Sequence, residues 1–267
     1  MFSLSGALIA VLVKQLKHLP LMEIIFFQNI PTMVIVPIIL KKINISLFGS
    51  NKSFLWLRGI LGLLGMLMAF YSFTTMPLTD AMAIKSLNPF FIFLFSGLLL
   101  KEKLSFRQVP LFIFAFLGGL LVIKPGLRID ILPAIIALFG TITAALAYIT
   151  LRYLRLTDHH LVIMNYFAYV SGIFSLCVLL FQKSFIVPGL SDLFPLILIG
   201  LVMLGTQFSL TKAYQLAPAN LISLYTYSQI VFAIVFGFLF FKEIPDLLSV
   251  YGAGFIILSG YLNYRLK

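Results

Sequence analysis

Two stretches of the sequence decide the fold: PLTDAMAIKSLNPFFIFLFSGLLLKEKL at residues 77–104 and PANLISLYTYSQIVFAIVFGFLFFKEIP at residues 218–245. They align without a gap at a shift of 141 residues. The shared positions are Pro77 with Pro218, Phe91 with Phe232, Phe95 with Phe236, Leu98 with Leu239, and the Lys-Glu pairs at 101–102 and 242–243. Apolar matches arise easily by chance in an apolar chain, whereas a proline and a charged pair in one register do not. The two halves are therefore predicted to be copies of one repeat.

The sequence around these stretches is that of a membrane protein. Of its 267 residues, 61% are hydrophobic and 10% are charged, and the mean hydropathy is +1.11, which is far more apolar than a soluble domain. Apolar windows of roughly 20 residues, the length that crosses a bilayer core, follow one another with short breaks. Their continuous runs favour helices over the alternating strands of a transmembrane barrel. We predict an all-α integral membrane protein with about ten transmembrane helices, at residues 1–13, 21–40, 54–76, 78–100, 109–123, 131–151, 161–181, 193–217, 219–241 and 247–264.

Five helices per repeat is an odd number, so the second copy is expected to cross the membrane in the opposite sense to the first. We therefore predict two inverted five-helix repeats, at residues 1–128 and 129–267. In many secondary transporters of this design the substrate site lies near the membrane midplane, between the repeats. The first helix is expected to be short, because its apolar run would rise only about 20 Å. Either the sequence starts inside a longer gene product, or this repeat has a shortened first helix.

The positive charge of the chain points to membrane orientation rather than to nucleic acid. The formal net charge is +11, and most cations lie in short loops between apolar runs, as the positive-inside rule describes. With a cytoplasmic N-terminus, 11 loop cations fall inside, Arg58 and Arg152 among them, and 6 fall outside. This distribution predicts that both termini are cytoplasmic. No nucleic-acid partner is expected.

Lys85 is the main candidate for function. It lies about 12 Å along its predicted helix from Pro77, where a lysine in the middle of a bilayer costs about 2.5–3.5 kcal/mol and usually faces a cavity or a partner. Helical spacing places Lys85 and Asn88 on one face, and the repeat mates Thr226 and Gln229 on the corresponding face. Two interpretations remain open. Lys85 lines a substrate cavity, or it forms a structural pair with Asp80.

Other polar and aromatic residues within the apolar segments extend the candidate site. Tyrosines can stack on a planar ligand or anchor a helix at the membrane interface, and Gln28 either joins the cavity or bonds to a neighbouring helix. We expect Lys85 to hold a carboxylate or other anionic group, Asn88 and Gln229 to hydrogen-bond, and Tyr71 and Tyr148 to stack. The complete predicted substrate-binding set is Lys85, Asn88, Gln229, Tyr71, Tyr148, Thr226, Gln28, Asn165 and Tyr225.

Sequence motifs for catalysis are lacking. The sequence contains no H-E-x-x-H, G-x-S-x-G or P-loop motif, and its single cysteine offers no disulfide framework. We expect no enzyme activity, no cofactor and no metal. An integral-membrane enzyme would need carboxylates or histidines clustered at one membrane face. A channel or accessory membrane subunit, the third alternative, would show flux that neither saturates nor exchanges.

The stretch LRGILGLLGMLMAFYSFTTMPLTDAMAIKSLNPFFIFLFSGLLLKEKLS at residues 57–105 resembles the third and fourth helices of EamA-type proteins of the drug/metabolite transporter superfamily. These proteins have an L-R-G start, a glycine-rich helix, a proline-marked turn, a mid-helix proline and an acidic residue at the helix end. Pro89 and Glu102 fit this pattern in the first half, and Pro218 and Glu243 fit it in the second.

The resemblance implies a bundle of two repeats in which the first four helices of each surround a cavity and the fifth packs outside. It also implies alternating-access transport of small organic metabolites, such as amino-acid-like, nucleoside-like or vitamin-like solutes, across a bacterial cytoplasmic membrane. An S-adenosylmethionine-type uptake carrier is the alternative within the family. The expected partners are a small-molecule substrate and the lipid bilayer, and coupling to protons or to exchange and pairing into a homodimer are left open. The chain departs from the family at Gln28, where many relatives have arginine, and at Lys85, where many have a small or hydroxyl residue.

Overall fold

The fold is a bundle of α-helices, seen in a computed structural model that describes residues 2–101, 109–123, 131–219, 222, 228–242, 244 and 246–265. No β-strand occurs in these ranges. The helices are α1 (Phe2–Gln15), α2 (Leu21–Lys42), α3 (Lys52–Thr75), α4 (Leu78–Lys85), α5 (Asn88–Leu100), α6 (Val109–Ile123), α7 (Ile131–Leu154), α8 (His160–Gln182), α9 (Leu190–Leu216), α10 (Ser228–Phe241) and α11 (Leu247–Arg265).

Six segments of the described chain are long and apolar enough to cross a bilayer. Five are the single helices α2, α3, α7, α8 and α9, and the sixth runs from Asp80 to Leu100 through α4 and α5. The helices α1, α6, α10 and α11 contribute shorter apolar stretches. This is the architecture of a multi-pass membrane protein.

The predicted fourth span is broken rather than continuous. Helix α4 ends at Lys85, Ser86 and Leu87 form a turn, and α5 begins at Asn88. Pro89, in the first turn of α5, has no N–H to give to the carbonyl one turn earlier, and its ring crowds that carbonyl. Lys85 and Asn88 therefore flank a break in the backbone.

Helix packing follows the same pattern in the two halves. In the first half, α3 packs on α7 and α8, while in the second half α9 packs on α1 and α2. Likewise α5 packs on α7, and α10 packs on α1. The pairs α2 with α8 and α6 with α11 join counterpart helices directly. Each contact thus has a mate when every helix is exchanged for its counterpart in the other half.

Small residues allow the closest helix crossings. A Cβ added at Gly65 of α3 would lie 3.1 Å from the backbone nitrogen of Ala144 and 3.2 Å from the carbonyl oxygen of Gly140, both on α7. At the α6–α11 crossing, a Cβ on Gly118 would lie 2.6 Å from the carbonyl oxygen of Gly252. Such crossings are typical of membrane helices, where close van der Waals packing drives association.

Loop contacts tie the two halves together at both ends of the bundle. At one end, Asp158 accepts hydrogen bonds from the backbone N–H groups of Ser50 and Asn51, and its carbonyl accepts one from Gln215 at 2.8 Å. At the other end, His18 Nε2 lies 3.2 Å from Asp192 Oδ1. The two loops that carry Asp158 and His18 occupy equivalent places in the two halves.

Two residues near the Asp158 end stabilise helix termini. Arg152 does not lie in a loop as predicted from the charge pattern, because it is buried in the last turn of α7 and donates to the carbonyls of Tyr214 and Gln215, both at 3.2 Å. A cation at the end of α9 also complements the helix dipole. His159 caps α8 by accepting from the N–H of Leu161. Burial and the nearby Lys212 ammonium lower the pKa of His159, which favours the neutral imidazole that this bond needs.

Candidate functional site

A cavity of about 120 Å³ lies inside the bundle, between the two halves. Eight helices contribute to its lining: α1, α3, α4, α5, α7, α8, α9 and α10. Helices α6 and α11 do not contribute described lining residues, because they pack on each other at the side of the bundle. This agrees with the expectation that the fifth helix of each repeat stays outside.

Lys85 lines this cavity at the end of α4. Its Nζ lies 5.5 Å from the centre of the Phe73 ring on α3, a cation–π distance. Asp80, the alternative structural partner, instead accepts a hydrogen bond from Ser249 of α11 at 2.8 Å. The lysine is therefore held by an aromatic face rather than by that carboxylate.

Asn88 lies on the other side of the helix break and also lines the cavity. Its Nδ2 donates to the carbonyl of Thr141 on α7 at 3.0 Å, which fixes the amide against that helix. The buried Oδ1 has no hydrogen-bond partner among the described residues. One polar atom of Asn88 is thus available to a solute.

Arg58 is a second cation in the cavity wall, and here the structure corrects the sequence interpretation of a cytoplasmic loop cation. The residue is 2% exposed. Its Nη2 donates to Gln207 Oε1 of α9 at 3.3 Å, and its Cζ lies 4.6 Å from the centre of the Phe167 ring of α8. The Nε and Nη1 atoms have no hydrogen-bond partner among the described residues.

Gln229 and Tyr148 complete the part of the predicted set that the structure brings together. Gln229, on α10, is buried beside Gly6 of α1, and its Nε2 has no described partner. Tyr148 of α7 stacks on Tyr214 of α9, with ring centres 5.1 Å apart and planes inclined by 25°. The cavity therefore has one aromatic wall and a further unsatisfied hydrogen-bond donor.

The remaining predicted residues lie elsewhere. Gln28 stands behind the wall, where its Nε2 donates to the sulfur of Met66, which lines the cavity. Tyr71 does not belong to the lining, which α3 provides through neighbouring residues. Asn165 faces a different groove, described below. Thr226 and Tyr225 lie outside the described residues.

The groove that contains Asn165 runs between α3 and α8 on the outside of the bundle and has a volume of about 970 Å³. Large apolar side chains on its walls are exposed, among them Trp56, Ile60, Ile173 and Phe174. In a membrane protein this surface contacts lipid. The smaller internal cavity is the better candidate site, because it lies between the halves and carries the buried cations.

Two polar residues of the cavity were not predicted from the sequence as binding residues. Arg58 was assigned to a loop, although it lies five residues inside the apolar segment that we predicted from residue 54. Gln207 is an amide in the middle of an apolar helix, the same signal that marked Gln28. Both could have been found by requiring every polar residue within a predicted span to have a partner.

The charge of the cavity wall is one-sided. Arg58 and Lys85 line it, and none of the described lining residues is acidic. The other polar contributors are hydroxyls and amides, at Ser72, Asn88, Thr141, Tyr148, Thr206, Gln207 and Gln229. Such a surface attracts an anionic group and repels a cation.

Comparison with known sequences assigns the family. The profile described as the EamA-like transporter family matches residues 1–124 and again residues 131–265. The chain belongs to this family. Like other EamA proteins, it is therefore a membrane transporter rather than an enzyme, as its relatives' names also indicate.

Individual relatives of this EamA protein are transporters of different named solutes. It is 30% identical to the pseudopaline exporter CntI of Pseudomonas aeruginosa, over 93% of this chain and 88% of the relative. It is 34% identical to solute carrier family 35 member G1 of Mus musculus, over 92% and 72% of the two chains. It is 26% identical to the S-adenosylmethionine uptake transporter of Rickettsia prowazekii, over 88% and 80%.

A solved crystal structure shares the fold of this EamA protein. The superposition has a TM-score of 0.74 and covers 99% of this chain and 97% of the other. The sequence identity is only 15%. The likeness therefore concerns the arrangement of the helices.

Proposed function

We propose that this chain is a secondary transporter that carries small organic solutes bearing an anionic group, with the internal cavity as the substrate site. One observation carries the proposal: two buried cations line a cavity whose described walls hold no carboxylate. Burying a charge without a partner costs several kcal/mol. An anionic solute supplies that partner, so binding it offsets a cost already present in the empty carrier.

Alternating access by two inverted repeats is the proposed mechanism. The matched helix contacts of the two halves and the two separate profile matches support repeats close to residues 1–128 and 129–267. The Asp158 contacts at one end and the His18–Asp192 contact at the other would open in turn. A solute shifts the balance between the two states only by its differential affinity for them.

The membrane and the transport direction also belong to the proposal. The loop charges support a bacterial cytoplasmic membrane with both termini inside. The relatives include an exporter and an uptake transporter, and the proposal covers either direction. An S-adenosylmethionine-type carrier is the less favoured alternative, because the sulfonium of that solute would add a third positive charge to the cavity.

Uptake into proteoliposomes tests the role of Lys85. A panel of labelled anionic, neutral and cationic solutes is offered to the purified protein and to Lys85→Met. We expect an anionic solute to be taken up by the unmodified protein, with the variant needing about 10- to 100-fold more solute for the same rate, as loss of a charge-assisted hydrogen bond predicts.

Lys212→Met is the matched control for this experiment. Lys212 is an exposed lysine on α9 that lies over the Phe208 ring, 5.7 Å from its centre, and it does not line the cavity. We expect its uptake to match that of the unmodified protein. Equal uptake by Lys85→Met and the unmodified protein would show that Lys85 is structural.

A further inference from the structure

The two cations of the cavity wall lie at different heights in the bundle. The Arg58 guanidinium extends along α3 to Gly62, where an added Cβ would collide with Nη1. The Lys85 ammonium lies over Phe73 of the same helix. Gly62 and Phe73 are separated by 11 residues, a rise of roughly 16 Å. One carboxylate cannot bridge two groups placed so far apart along the helix.

Each cation retains unused capacity for hydrogen bonding. Gln207 engages only one of the three nitrogens of Arg58, and Nε and Nη1 have no described partner. Lys85 is held by a ring face and has no ion-pair partner among the described residues. Gln229 adds a buried amide donor without a described partner. All three side chains present N–H groups, which bind oxygen anions.

The wall between the two cations is largely apolar. Met66, Ala69 and Phe70 line it from α3, and Ala144 and Tyr148 line it from α7. This surface suits the carbon skeleton of a solute rather than another charged group. The lining therefore reads, along α3, as a cation, an apolar stretch and a second cation.

Resting on the transport function proposed above, we propose that the substrate carries two anionic groups at separated ends of an organic skeleton. The chemical class is a dicarboxylate or a phosphorylated carboxylic acid. Arg58 binds one anionic end, for which its planar guanidinium suits a carboxylate or phosphate, and Lys85 binds the other. A monoanion leaves one buried cation without a counter-charge, and a cationic solute leaves both.

Ligand-dependent thermal stabilisation of the purified full chain tests this class, because a ligand that binds only the folded state raises the unfolding temperature. The probes are straight-chain dicarboxylates of increasing length, phosphorylated carboxylic acids, the half-esters of the dicarboxylates, and neutral and cationic solutes of similar size. We expect one dianion to bind about 10- to 100-fold more tightly than its own half-ester. Comparison of the dicarboxylate and phosphorylated series identifies the second group.

Variants then assign the two ends. In Arg58→Gln and in Lys85→Gln, the affinity for the dianion should fall to that of the half-ester, so that the ratio between them approaches one. The ratio should be unchanged in Lys212→Gln. If the Arg58 variant does not fold, the diacid-to-half-ester ratio of the unmodified protein still decides the question.

The outcomes separate this inference from the transport function. A half-ester that binds as tightly as its diacid, or a neutral or cationic solute that binds best and is also transported, overturns the dianion class and leaves the carrier standing. Binding of no solute of any charge contradicts the carrier and the dianion class together. A preference for the dianion that disappears in both charge variants supports the inference.

Discussion

Gly62 decides whether Arg58 can reach the cavity. An added Cβ at Gly62 would overlap Nη1 of Arg58 and lie 2.9 Å from two atoms of the Phe167 ring. Gly62→Ala should displace the guanidinium and lower affinity for the best anionic solute by about tenfold, the loss expected when one charged hydrogen bond is broken. The measurement is ligand-dependent thermal stabilisation of the purified variant.

Gly205→Ala provides the control for that substitution. Gly205 lies in α9, and no atom lies within 4 Å of the position that its Cβ would take. Both variants replace a helical glycine by alanine, so they share the gain in helix propensity. Equal solute affinity in the two variants would contradict the placement of Arg58.

Single residues were predictable from the sequence to the extent that they were out of place in lipid. A lysine and two amides inside apolar segments stood out, and the structure places Lys85, Asn88 and Gln229 around one cavity. Their part in binding remains a prediction. Arg58 could not be distinguished from an interfacial anchor, because its inward path depends on Gln207, 149 residues away.

At the scale of elements, the break between α4 and α5 positions the site. Pro89 prevents one hydrogen bond of a continuous helix, and proline inside a helix costs about 3 kcal/mol. Pro89→Ala should allow the helix to continue, which raises the unfolding temperature but rotates Lys85 relative to Asn88. We expect proteoliposome uptake to fall about tenfold or more while stability holds or rises.

Pro195→Ala is the corresponding control, because Pro195 lies within α9 and is not a lining residue of the cavity. Its uptake should be close to that of the unmodified protein. Full uptake by Pro89→Ala would show that the break does not position the site.

The sequence predicted the existence of most helices but not the interruption at Ser86 and Leu87. Apolar runs report burial in lipid, and they extend unbroken from residue 78 to residue 100 apart from Lys85 and its polar neighbours. Where a proline-containing segment bends depends on what the neighbouring helices can satisfy. Here Asn88 and Thr141 both bond to carbonyls across the α4–α5 and α7 contact.

At the scale of the whole molecule, Asp158 closes one end of the bundle. It binds two backbone N–H groups of the loop before α3, and hydrogen bonds to a charged group contribute about 1.5–3 kcal/mol. Asp158→Asn should shift the population toward states open at that end. Reaction of a cavity cysteine, Ala69→Cys in a Cys177→Ser background, with a polar thiol reagent added from that side should accelerate about tenfold.

Asp192→Asn is the partner experiment, because it weakens the His18 contact at the opposite end. Its effect should appear when the reagent is added from the other side. Equal acceleration from both sides in either variant would mean that the substitutions loosen the whole bundle instead of one end.

The repeat register of 141 residues anticipated a molecule made of two related halves, and the matched packing of α3 on α7 and α9 on α1 is consistent with it. The cavity itself could not be derived in this way. Its walls come from eight helices, and its key contacts join residues far apart in sequence. Periodicity along one helix carries no information about which neighbour faces it.

Solute counterflow tests the central claim, that an anionic solute is carried through this cavity, most directly. Proteoliposomes containing the unmodified protein are loaded with an unlabelled anionic solute, and uptake of the labelled solute is followed over a range of outside concentrations. The account predicts saturable uptake that is accelerated by the internal solute and suppressed in Lys85→Met. Uptake that rises linearly with concentration and ignores the internal solute would contradict it.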